Sequence, residues 1–184
     1  MRIKILMVML VLLVSVGCSA EEKFAPDTFS VDDLAIVKVD DESQVVKYGM
    51  SREEAEKVLG TGTESPPFVE YDFGVKVQYR DDVVVVVDLR QDSHNIFKTP
   101  RGAMAGMTKK EVLNLYGEKY SVYDANPTFF YDSETNEFLG ENTVDAISDP
   151  EDAVHVYGAY FAALGGDDIL GITLGDYKGT KFYQ

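Results

Sequence analysis

A twelve-residue pattern occurs twice in this chain without a gap. Gly49-Met50-Ser51-Arg52-Glu53-Glu54-Ala55-Glu56-Lys57-Val58-Leu59-Gly60 returns as Gly106-Met107-Thr108-Lys109-Lys110-Glu111-Val112-Leu113-Asn114-Leu115-Tyr116-Gly117. In each copy a hydroxyl residue stands three places before a glutamate, which is the pattern of a capping box. Ser51 or Thr108 accepts from a first-turn N–H, and Glu54 or Glu111 reaches back to the N–H of the cap itself. Met50 and Met107 precede the caps, in position to staple onto Ala55 and Val112. Gly60 and Gly117 offer the left-handed conformation that ends a helix. Two helices with the same start and the same stop predict a duplicated architecture.

The segments beyond the two helices correspond as well. A Gly/Ser/Pro loop leads from Gly60 to Pro67, and three strand candidates come next, at 68–71, 75–79 and 83–89, with Arg80-Asp81-Asp82 as the last turn. Over 75–79 the odd positions are apolar and the even ones polar, the mark of a half-buried antiparallel strand. The run 83–87 is apolar on both faces and belongs inside a sheet, since an open edge of that kind aggregates. After Gly117 the order returns with an insertion. Strand 128–131 comes first, then a polar excursion over 132–152, strand 154–164, the turn Gly165-Gly166-Asp167-Asp168 and strand 169–174. The expectation is an α+β fold of two related units, each a short helix followed by a three-stranded antiparallel meander. The first unit covers 34–98 and begins with a β-hairpin, 34–39 against 44–47. The second covers 99–184, is entered through a polar connector at 91–101, and ends in ten residues that read as a loose tail.

The N-terminus reads as an address. Arg2 and Lys4 precede ten apolar residues over 5–14, and Ser15-Val16-Gly17-Cys18 follows. A basic start, a short apolar run and small residues make an export signal, and the apolar run is too short to span a bilayer as a helix. Cys18, the single cysteine of the sequence, stands where bacterial lipoprotein signals place the residue that is lipidated, although Ser15 occupies a position where Leu is usual. Residues 1–17 are therefore expected to be cleaved, leaving Cys18 as an acylated N-terminus; two or three acyl chains anchor a protein stably. Residues 18–33 are acidic, contain a proline and read as a tether. In a two-membrane cell Ser19 after the Cys directs such a protein to the outer membrane, by resemblance to known sorting.

Removing 1–17 takes away Arg2 and Lys4 and no acid, so the formal charge moves from −15 to −17. A charge of that size argues against nucleic acid as a partner and against electrostatic adhesion to anionic headgroups. With no second cysteine the fold has no disulfide framework and must rest on its core. An apolar content of 45% suffices for that.

A Gly-Met-Ser/Thr helix with Glu in its first turn, followed by a strand meander and repeated in tandem, resembles the β-lactamase-inhibitor-protein-like fold. It is also similar to the small outer-membrane lipoproteins of the SmpA/OmlA group, which help barrel assembly. The resemblance covers 49–89 and 106–174. Members of that fold carry a further helix before the Gly-Met helix, where this chain has a hairpin and a connector containing Pro100. The resemblance therefore implies a fold and a style of action, not a set of site residues. What it implies is a non-enzymatic envelope protein that binds another protein on its sheet surface.

Chemistry is sparse in the sequence. His94 and His155 are the two histidines, far apart and without a metal-ligand spacing. Asp92-Ser93-His94 has the residue types of a triad, but neighbours in sequence cannot converge on one reacting atom. Asp132-Ser133-Glu134-Thr135-Asn136-Glu137 alternates oxygen ligands as calcium loops do, yet it lacks the glycine of such loops, and Thr143 stands where a bidentate Glu is needed. No phosphate loop or dinucleotide fingerprint is present. The expectation is a protein without metal or cofactor that is not an enzyme, held to a membrane through Cys18 and binding a protein of the envelope. The alternative is a cell-wall or glycan-binding module that uses its aromatic rings for stacking.

Of the 21 Phe and Tyr residues, 13 lie at or beyond Tyr116, so the second unit holds most of the large contact area. In the strand 154–164 the even positions Val154, Val156, Gly158, Tyr160, Ala162 and Leu164 read as the face against the helix. The odd positions, with His155, Tyr157 and Phe161, then point away and form the candidate binding surface. A second reading packs that same face against the first unit, on Val84 and Val86.

Overall fold

The computed structural model describes residues 24–182, and the fold is α+β with two antiparallel sheets. The signal, Cys18 and residues 19–23 of the tether lie outside the described residues. A small sheet, ordered β2-β1-β7, comprises β1 (Ala35–Lys38), β2 (Val45–Lys47) and β7 (Phe97–Lys98). The first Gly-Met helix is α1 (Arg52–Leu59), followed by β3 (Thr63–Ser65), β4 (Phe68–Tyr71), β5 (Val75–Arg80) and β6 (Val83–Arg90). Beyond β7 come α2 (Lys109–Tyr116), β8 (Thr128–Asp132), β9 (Glu137–Phe138), α3 (Glu141–Asp145), β10 (Val156–Ala162) and β11 (Gly171–Asp176). The large sheet runs β3-β4-β5-β6-β11-β10-β8-β9, so β6 and β11 pair at its centre.

Both capping boxes are formed. Ser51 Oγ accepts from the N–H of Glu54 and Thr108 Oγ1 from that of Glu111, each at 3.3 Å. The glutamates accept in return from the cap N–H, at 3.2 Å for Glu54 and 2.8 Å for Glu111. Gly60 and Gly117 end the helices with φ of 82° and 93°, but with ψ of −165° and 159°. That is the extended positive-φ region open essentially to glycine alone, rather than the left-handed helical one. The Gly-Met residues before each cap also make matching backbone bonds. Gly49 N–H donates to Val84 O, Val84 N–H to Met50 O, and Arg52 N–H to Asp82 O. Likewise Gly106 N–H donates to Ile169 O, Ile169 N–H to Met107 O, and Lys109 N–H to Asp167 O. Each helix start thus clasps the turn that opens the last strand of its own segment.

One face of the large sheet, which we term the inner face, carries Val75, Val77, Val84, Leu89, Ile172, Leu174, Ala159 and Phe161 into the main core. Ile36, Val46 and Phe97 of the small sheet and Ala55, Val112 and Tyr116 of the helices close over it. This core runs without a break through residues before and after position 98.

Several expectations need correction. The tether is shorter than 18–33. Phe29 is in the core and Asp33 is fully buried, and Ser30 caps a 3-10 turn at Val31–Asp33. The buried guanidinium of Arg101 holds the segment in place. It donates to Asp33 Oδ1 at 2.5 Å, to the carbonyls of Ala25 and Thr28 at 2.7 Å each, and to that of Phe24 at 3.0 Å. The connector contains β7, which exists because β1 offers it an edge. Four strands, not three, follow α1, since β3 pairs with β4. The excursion over 132–152 contributes β9 and α3, and Val144 and Ala153 sit in a second small core with Phe130, Val156 and Tyr177. The end of the chain is not loose up to 182: Gly175 and Asp176 finish β11, and Lys178–Phe182 forms a π-helical turn.

Candidate functional site

The outer face of the large sheet is built by strand register. Lys76 stands opposite Asp88, Asp88 opposite Thr173, and Thr173 opposite Tyr160. In the next row Gln78, Val86, Gly175 and Gly158 are aligned in the same way. The two glycines leave that row hollow for close packing. A Cβ at Gly158 would lie 2.6 Å from the Tyr160 ring, and one at Gly175 2.5 Å from Val85 O. Gly179 of the C-terminal turn settles onto Val86, where its own Cβ would come within 2.7 Å of Val86 Cγ2. Asp176 pins the turn, accepting from Gly179 N–H at 2.6 Å, from Arg80 at 2.9 and 3.0 Å and from Tyr48 Oη at 3.0 Å.

The turn and the small core around Phe130 cover one half of this face, while the other half stays open. There Phe68, Val86, Asp88, Arg90, Tyr160, Thr173 and Thr180 line a basin of about 270 Å³. Its floor is Asp88, only 1% exposed. Thr173 Oγ1 donates to Asp88 Oδ1 at 2.9 Å, and Arg90 Nε comes within 2.6 Å of Oδ2, though out of line for a hydrogen bond. Burial raises the pKa of Asp88, and the Arg90 charge opposes the rise. Burial likewise raises that of the Tyr160 hydroxyl, which shares a 2.9 Å hydrogen bond with Thr180 Oγ1.

Charge on the open half is balanced locally. Lys76 pairs with Glu70 at 2.6 Å, and Arg90 with Asp88. The basin is therefore a shallow apolar and aromatic hollow with a hydrogen-bonding floor and paired ions at its edge. It sits on a chain whose overall formal charge is −15.

The residues singled out from sequence fall elsewhere. Ser51, Glu54, Thr108 and Glu111 cap helices. His155, Tyr157 and Phe161 do not form a binding surface, because the two faces of β10 are the reverse of the sequence expectation. Phe161 has no exposed surface, with its ring 4.8 Å from Tyr116 and 6.3 Å from Phe129. Tyr157 packs on Tyr48 at 5.3 Å, and His155 Nε2 lies 3.8 Å from Asp132. Val156 and Tyr160 occupy the outer face instead. Asp132 is spent on its own turn, accepting from the N–H groups of Glu134 and Thr135. Ser93 is buried and donates to Arg90 O, while His94 Nδ1 lies 2.5 Å from Ala105 O. Among the described residues no cluster of three metal-ligating side chains occurs, and no helix is long and apolar enough to cross a membrane. The basin went unread in the sequence. Its one signal was Asp88, a carboxylate set into the otherwise apolar run 83–89.

Comparisons with protein-family models, with curated proteins and with solved structures found no match to this chain.

Proposed function

We propose that this is a lipid-anchored envelope protein built of two related units, which binds another protein through the open half of its outer sheet face. The observation that carries the binding reading is the basin. Phe68 and Tyr160 offer aromatic contact, and the ion pairs of Lys76 with Glu70 and of Arg90 with Asp88 form a polar rim. That is the anatomy of a protein interface, an apolar centre within a polar margin. The protein acts by binding rather than by catalysis. The matched backbone clasps at Gly49–Met50 and Gly106–Met107 support relatedness of the units, since the same three bonds recur around each capping box. Anchoring rests on the signal and on Cys18, and places the protein outside the cytoplasm, at the outer membrane in a two-membrane cell.

The test is capture from solubilised envelopes by wild type and by Thr173→Arg, which fills the basin from a half-buried position without touching the main core. The expected result is a protein retained by wild type and lost by the variant at unchanged melting temperature. Equal capture by both removes the basin from consideration. Retention on purified peptidoglycan, with no protein captured, favours the glycan-binding alternative.

A further inference from the structure

We infer that the outer face of the small sheet is the surface this protein lays against the lipid bilayer, so that the basin looks away from the membrane. The inference rests on the lipidation of Cys18 proposed above. It starts from the first residues that the structure describes. Arg101 ties down the carbonyls of Phe24, Ala25 and Thr28 and the carboxylate of Asp33, with its guanidinium 5.7 Å from the Phe24 ring and 4.9 Å from that of Tyr116. Residues from Phe24 onward are therefore held to the body, and not only those from Leu34. Five residues, 19–23, lie between Cys18 and Phe24, and the six steps from one to the other reach at most roughly 20 Å. A body of this size is about 40 Å across. Only the surface around Phe24 can then rest on the bilayer that holds the acyl chains.

That surface is suited to contact with lipid. In β1 and β2, Ile36 and Val46 point into the main core, and Val37 and Val45 point the other way. Together with Phe24, Val31 and Pro100 they line a groove of about 290 Å³. Val31 is 44% exposed, and Phe24 is itself a wall of the groove. Its charged lining is one acid and one base, Asp32 and Lys47, on a chain that is otherwise strongly acidic. This face therefore meets little of the repulsion that the rest of the surface meets at a bilayer. The layers of the fold fix the consequence. The small sheet closes the main core from one side and the large sheet from the other, so the groove and the basin look in opposite directions.

Acylation would consume the chain's single cysteine, so Val31→Cys and Arg90→Cys each give one thiol for an environment-sensitive fluorophore. Both full chains are purified with their lipid, the N-terminal peptide is weighed, and the proteins are placed in phosphatidylcholine vesicles carrying a lipid-borne quencher. The expected result is a blue-shifted emission at position 31 that loses most of its intensity to the quencher, and an unshifted, unquenched emission at position 90. Equal quenching at both positions on a chain with acylated Cys18 overturns the orientation alone. An unmodified Cys18 overturns the anchoring reading, and the orientation with it.

Discussion

The two Gly-Met helices start alike and bury different things. Around α1 the buried helical side chain is Ala55, and its neighbours are polar. Arg52 bridges Glu56 and Glu64 at 2.8 and 2.7 Å, and the hydroxyls of Tyr71 and Tyr79 meet at 2.7 Å. At α2, Val112 and Tyr116 are buried, and the Tyr116 ring sits among Phe129, Phe161 and the guanidinium of Arg101. One capping frame thus serves a surface helix with a polar network and a helix that anchors an aromatic core. What a cap specifies is where a helix begins. What the helix contributes is decided by the residues that reach it from elsewhere in the chain.

The difference is sharpened most by breaking the Arg101 contact, which has no counterpart at α1. Arg101→Ala leaves Asp33 buried without its partner, and removal of one member of such a pair costs about 3–5 kcal/mol. Chemical denaturation should register that loss, and protease should cut in the segment 24–33 that the guanidinium held. A variant that loses stability but keeps this segment protected would break the clamp interpretation. Asp33→Asn with Arg101→Met, which removes both charges, should recover part of the loss.

Phe161→Ala comes next and tests the aromatic core directly. With no exposed surface and two rings packed on it, this side chain should cost about 3–4 kcal/mol when truncated. Leu59→Ala at the end of α1 removes a half-buried side chain and should cost clearly less, by thermal melting of both. Equal losses would mean that α1 carries as much of the core as α2 does.

Caps, hairpins and turns were legible because their signals lie within a few residues of one another. The turn at Asp81-Asp82, where both residues have positive φ, and the strands on either side of it are of that kind. The N-terminal segment was not, since its polar composition describes a tether while its fold depends on Arg101, 68 residues beyond Asp33. The C-terminal turn is similar. Lys178-Gly179-Thr180-Lys181 has no apolar pattern, and it is fixed by Asp176, which accepts from Gly179 N–H, by Val86 and Gln78 beneath Gly179, and by the Tyr160 hydroxyl on Thr180. The faces of β10 were misread for another reason. Both alternating sets of that strand contain rings and small residues, so periodicity alone could not tell inside from outside. Even β5 departs from its alternation, with Gln78 buried at 2% exposure under the C-terminal turn.

The capping boxes themselves test how alike the two helices are. Ser51→Ala and Thr108→Ala should each cost on the order of 1 kcal/mol, because each removes one acceptor for a first-turn N–H. The near-identity of the two boxes, 3.3 Å in both for the Oγ contact, predicts similar losses despite the unequal burial of the helices. A much larger loss at Thr108 would show that the aromatic core depends on the cap as well as on packing.

The smallest expected effect concerns pH and lies in the basin. Burial holds the Asp88 carboxyl above its ordinary pKa, so the native state resists ionisation more than the unfolded chain does. Below the ordinary carboxylate range Asp88 is protonated in both states and exerts no penalty. As pH rises from there through the raised native pKa, the unfolded chain releases its proton first, and stability falls. Above that point the loss is constant. Asp88→Asn keeps an acceptor for Thr173 and cannot ionise. Its stability relative to wild type should therefore grow from about pH 4 upward and then level off, as read from urea midpoints at a series of pH values. A difference between the two that does not change with pH would show that Arg90, at the rim of the basin, offsets the burial of Asp88 in full.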